Sequence, residues 1–146
     1  MKRLFLIVTL IFLSATTASA IRLVSVAGEN VNMHTGPGED QAVLWVLGEG
    51  YPLQVIGSQG LWLKISDFEG DEGWVNQNLV NRVPHLIVKK RVVNIRQGPG
   101  TNYEIVGKIP YGIVVKTIEK NNNGWVKIEQ EDGQTGWVLR TLLWGW

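Results

Sequence analysis

At 146 residues and a formal net charge of +1, the chain has room for one ordinary domain or two very small ones, and it carries no global charge signal for nucleic acid. It has no cysteine, which excludes disulfides, thiol nucleophiles and cysteine-ligated metal sites. An apolar content of 45% with 18% charged residues belongs to a folded chain, not a disordered one.

Lys2 and Arg3 open the chain, and the apolar run LFLIVTLIFL follows at residues 4–13. That run is too short for a bilayer, which takes about 20 residues. Ala18-Ser19-Ala20 then gives a small-x-small cleavage pattern. Residues 1–20 therefore read as a signal peptide. The remainder is expected to be exported, periplasmic or extracellular, with no stable membrane span after cleavage. An uncleaved anchor is the plainer alternative.

From Ile21 onward the periodicity is that of strands. Short β-rich runs at residues 23–26, 43–47, 53–56 and 113–118 are separated by glycine, proline and asparagine. Leu63 and Ile65 alternate with Trp62, Lys64 and Ser66, and Val126 and Ile128 alternate with Trp125, Lys127 and Glu129. Each Gly-Pro-Gly, at 36–38 and 98–100, fixes one φ with proline and leaves its glycines free to take positive φ. The turns at 69–73 and 131–136 read as hairpins.

The chain also repeats itself. Val31-Asn32-Met33-His34-Thr35-Gly36-Pro37-Gly38 returns as Val93-Asn94-Ile95-Arg96-Gln97-Gly98-Pro99-Gly100. Trp62-Leu63-Lys64-Ile65 returns as Trp125-Val126-Lys127-Ile128, and Gly73-Trp74-Val75 as Gly136-Trp137-Val138. The offset grows from 62 to 63, so one residue is inserted near Asn121-Asn122-Asn123. Two units are expected, at 21–82 and 86–143. The linker around Asn81–His85 is short and contains proline, so the units should touch or nearly touch. The fold class is all-β, as two tandem small barrels.

These residues resemble the bacterial Src-homology-3 (SH3b) family. The second unit carries the pattern most fully, in Val93–Gly100, Gly124-Trp125-Val126-Lys127-Ile128 and Asp132-Gly133-Gln134-Thr135-Gly136-Trp137-Val138. The first departs where His34 replaces arginine and Leu61 replaces the glycine before Trp62. The resemblance implies SH3-like barrels of five or so strands and an extracytoplasmic module contacting peptidoglycan or proteins. It names no ligand.

Two histidines are a poor supply for acid–base chemistry: His34 becomes Arg96 in the other unit, and His85 lies in the linker. The chain reads as a non-enzyme with no cofactor. The acidic turn Asp67, Glu69, Asp71 and Glu72 has Glu72 where a calcium loop needs glycine, so no metal site is expected. The candidate ligand-binding residues are aromatic. Trp62, Trp74, Trp125 and Trp137 recur at matching positions, which points to packing before binding. Trp62 and Trp125 share a face with Lys64 and Lys127, which favours partial exposure. Trp45, Tyr103 and Tyr111 do not recur, and there the units are free to differ. The tail Trp144-Gly145-Trp146 should dock on a barrel or a partner, because free indoles are costly in water.

Charge divides the units further. Residues 21–83 carry net −5 and residues 84–146 net +4. The expected partner is peptidoglycan or another wall component, with the basic unit favouring anionic groups; the second reading is an adaptor for an envelope protein. No nucleic acid is expected.

Overall fold

The computed structural model describes residues 20–146, so the expected signal peptide lies outside the described residues except for Ala20. The described chain is all-β, and its only helical turns are two 3-10 turns at Gln77–Leu79 and Arg140–Leu142. The first unit has β1 (Arg22–Val26), β2 (Val31–His34), β3 (Val43–Leu47), β4 (Pro52–Gln59), β5 (Trp62–Ser66), β6 (Glu72–Asn76) and β7 (Val80–Asn81). The second has β8 (His85–Val88), β9 (Val92–Arg96), β10 (Ile105–Pro110), β11 (Val114–Lys120), β12 (Trp125–Glu129), β13 (Thr135–Leu139) and β14 (Leu143–Gly145).

The two sheets have the same order, β3-β2-β6-β5-β4-β1-β7 and β10-β9-β13-β12-β11-β8-β14. Each sheet has seven strands, more than the five or so implied by the resemblance, because the segments entering and leaving a unit pair with each other. Register shifts at Val55/Gly57 and Thr117/Glu119 bend the long fourth strand of each unit.

Period-2 alternation places one apolar face inward. Val24, Val26, Met33, Leu53, Leu63, Ile65 and Val75 pack in the first core; Leu86, Ile95, Ile109, Val126, Ile128 and Val138 pack in the second. Each such side chain contributes about 1.5–3 kcal/mol when fully buried. The repeated glycine before tryptophan has a packing cause. A Cβ on Gly73 would sit 2.7 Å from Met33 Cγ, and one on Gly136 would strike Ile95.

The Gly-Pro-Gly loops differ from expectation. Among the described residues, none of their glycines takes positive φ. Their lack of a side chain serves contact instead: Gln41 lies over Gly36, and the Tyr103 ring lies over Gly98.

The linker is pinned. Ser25 Oγ donates to the Val83 carbonyl at 2.8 Å, and His85 Nδ1 donates to the same oxygen at 3.0 Å. The units touch through an aromatic run, with Phe68 5.5 Å from Tyr111 and 6.2 Å from Tyr51 between ring centroids. Gly145 approaches Pro52 of the first unit. The tryptophan tail is part of the fold: Trp144 pairs with Ile87 in β8, and Thr117 Oγ1 donates to the Trp146 carbonyl at 2.6 Å.

Candidate functional site

Each unit carries a row of three side chains across the outer face of its sheet. In the first unit the register sets Lys64 (β5) opposite Trp74 (β6), and Trp74 opposite His34 (β2). In the second it sets Lys127 (β12) opposite Trp137 (β13), and Trp137 opposite Arg96 (β9). Directly opposed residues share a face, with Cβ atoms about 4.5–5.5 Å apart. Both central tryptophans are half-buried, so each offers part of a ring to solvent.

The rows are alike in position and opposite in electrostatic state. Lys64 Nζ lies 2.9 Å from Glu72 Oε2, which neutralises it. The residue matching Glu72 in the second unit is Thr135, and Lys127 has no ion pair among the described residues. His34 Nδ1 donates to the Gln41 carbonyl at 2.9 Å, and its ring meets Trp62 edge-on at 5.3 Å. Arg96 in its place uses Nη1 alone for the Thr101 and Tyr103 carbonyls, at 2.9 and 2.8 Å. The loop thus holds the guanidinium through Nη1, and Nε and Nη2 make no hydrogen bond among the described residues. Tyr103, exposed beside Arg96, completes a surface with two cations and two aromatic rings.

The aromatic candidates named from the sequence fall into four places. Tyr103 and Trp137 lie on this surface. Trp74 belongs to the neutralised row, and Trp62 packs edge-on against its His34. Trp45 stands apart on β3, at the far edge of the first sheet. Tyr111 lies at the junction of the units, where its hydroxyl donates to Glu69. That bond, with desolvation and the Glu69 and Asp67 charges, raises its pKa. Burial, then the Asp67 charge, raises Tyr51 in the same run.

The expected partial exposure of Trp125 needs correction: only 9% of it is exposed. The inserted asparagine run supplies a cause. Asn121 Oδ1 accepts from the Trp125 amide at 3.1 Å, and Asn123 Nδ2 donates to the Pro99 carbonyl at 3.1 Å. The β11–β12 turn is thereby tied to the Gly-Pro-Gly loop over the start of β12.

Lys127 and Arg96 were not among the candidates named from the sequence. The sequence signal that sets them apart is the exchange of Glu72 for Thr135 and of His34 for Arg96 between the units.

The acidic turn is a folded loop. Asp67, buried, accepts from the Glu69 and Asp71 amides at 2.9 Å each and from Tyr51 Oη at 3.2 Å. Ser25 and His85 lie 3.2 Å apart, but Ser25 is fully buried and its hydroxyl already donates to Val83, so the pair is a structural clasp.

Residues 27–81 and 91–143 each match the bacterial SH3 domain. The chain is 29% identical over 154 aligned residues to the putative N-acetylmuramoyl-L-alanine amidase YrvJ of Bacillus subtilis (strain 168). That match covers 94% of this chain but only 29% of the relative, so the chain spans less than a third of the relative's length. Among solved structures, NlpC2 from Trichomonas vaginalis aligns over 85% of this chain and 48% of its own, at 15% identity and TM-score 0.38. An NlpC/P60 family protein from Bacillus cereus aligns over 86% and 56%, at 12% identity and TM-score 0.36. The two bacterial SH3 matches together cover well over half of the chain, which belongs to the bacterial SH3 domain family and carries the domain twice in tandem.

Proposed function

We propose that this is an exported, non-catalytic binding protein of the bacterial cell envelope, and that its second unit holds the ligand on the Lys127–Trp137–Arg96 row with Tyr103. The observation that carries the reading is the contrast between Lys64, paired with Glu72, and Lys127, which has no ion pair among the described residues. A cation left unpaired beside an aromatic face suits a polymer bearing both rings and carboxylates. The tryptophan supplies contact area to a sugar or peptide, and Lys127 and Arg96 supply charge-assisted hydrogen bonds. Peptidoglycan has that chemistry. Similarity to a protein whose name marks it as an amidase of N-acetylmuramoyl-L-alanine supports a wall ligand.

The test is sedimentation of residues 21–146 with purified sacculi. The chain is expected in the pellet, and Lys127→Glu is expected to weaken binding by about tenfold, an effect of about 1.4 kcal/mol. Lys64→Ala should change binding by less than about twofold, since surface ion pairs contribute about 0–1 kcal/mol. Failure to pellet, with retention of an envelope protein by the same chain, would replace the wall ligand with a protein partner.

A further inference from the structure

The edge strand β3 belongs to neither binding row, yet it leaves large apolar side chains exposed. It ends the first sheet and pairs with β2 alone among the described residues. Four of its five residues, Val43, Leu44, Trp45 and Val46, are exposed, on both faces of the strand, with Trp45 at 55% and Val46 at 60%. Proteins ordinarily protect such an edge with lysine, proline, a bulge or a covering side chain.

The second unit provides the internal control. Its matching edge, β10, carries Lys108 and ends in Pro110. Gln134 reaches from the β12–β13 turn to donate to the Val106 carbonyl at 3.0 Å, which covers the edge. Gly107 stands where the first unit has Trp45. In the first unit the counterpart of Gln134 is Asp71, which exchanges hydrogen bonds with Asp67 inside its own turn. β3 shares with β10 a register shift, at Leu44, but it lacks the lysine, the terminal proline and the covering side chain, and a large aromatic is exposed on it.

We infer that β3 is a docking edge for an extended segment of another protein, apolar at its centre and basic at its ends, which adds to the first sheet as an eighth strand. Strand addition supplies main-chain hydrogen bonds, and alternate side chains supply selectivity. The charges select the occupant. β3 itself is uncharged, Glu39 and Asp40 precede it, Glu49 follows it, and its unit carries net −5. A second copy laid antiparallel sets Glu39 and Asp40 against Glu49, and one laid parallel sets them against themselves. Both pairings place like charges together. A segment with lysine or arginine at each end satisfies both ends of β3 at once. Five residues of strand span about 17 Å, so the apolar centre needs about five residues.

The probe is a fluorescein-labelled peptide with two lysines at each end of a Val-Thr-Val-Thr-Val centre, beside a twin with glutamates at the ends. Fluorescence anisotropy with residues 20–146 is expected to show the lysine peptide binding about tenfold tighter than its twin, and losing affinity as salt rises. Val46→Lys should abolish binding with the thermal midpoint unchanged, while Ile105→Lys on β10 should leave binding intact. Trp45→Thr, uncharged and suited to a strand, should weaken binding at least about threefold, which keeps the test open where lysine disturbs folding. Equal affinity for the two peptides, no binding of either, or insensitivity to both β3 variants would overturn the inference. So would dimerisation in sedimentation velocity that Val46→Lys removes, because the occupant would then be a second copy.

Discussion

Single atoms decide several of these contacts. Gly145 sits at φ +117, where a side chain is strained, and a Cβ there would strike the His85 carbonyl and crowd Pro52 of the first unit. Gly145→Ala is expected to destabilise the chain by more than about 1 kcal/mol, read as a lowered midpoint in urea. Thr135 is the other decisive residue. Thr135→Glu recreates beside Lys127 the carboxylate that neutralises Lys64, and it should weaken sacculus binding about fivefold without affecting the melting temperature. The reciprocal Glu72→Thr frees Lys64 and should raise binding by the first unit, measured in a Lys127→Glu background.

At the level of elements, strands were legible and their ends were not. Residues 63, 65, 126 and 128 alternate with Lys64, Ser66, Lys127 and Glu129, so β5 and β12 follow from the sequence alone, although Trp125 at the start of β12 is buried as well. β7 is two residues long, and its pairing with β1 depends on where the chain returns after a 3-10 turn. No local pattern encodes that return. The Gly-Pro-Gly loops show a related limit: composition suggested free φ angles, whereas the glycines answer to side chains packed over them, Gln41 in one loop and the Tyr103 ring in the other. The tail was legible as apolar residues seeking cover, but its pairing with β8 needed the fold. Arg140 depends on that pairing. Partly buried, with its pKa lowered by desolvation, it donates to the Leu143 and Gly145 carbonyls at 2.9 and 2.6 Å. Deleting residues 144–146 removes the Gly145 acceptor and should lower the thermal midpoint of the second unit by several degrees.

At the scale of the whole molecule, the repeat predicts two units but not the bond between them. Tyr51, Phe68 and Tyr111 come from three separate segments, and only their relative placement makes a junction. That junction gives the chain an alkaline sensitivity. Folding raises the pKa of both phenols, through the Glu69 hydrogen bond for Tyr111 and through burial for Tyr51. Their contribution is therefore complete below the ordinary tyrosine value of about 10, and it fades as pH rises through the higher folded-state values. Thermal midpoints between pH 8 and 11 should fall above about pH 10, and the Tyr51→Phe, Tyr111→Phe double variant should fall less steeply. The β8–β14 pairing acts on a different axis, that of time. A chain made or threaded from its N-terminus has every strand of its first sheet available once Asn81 emerges, whereas its second sheet waits for residues 143–145. During that interval β8 has one bare flank, just as β1 has before residues 80–81 emerge, so the two sheets close one after the other.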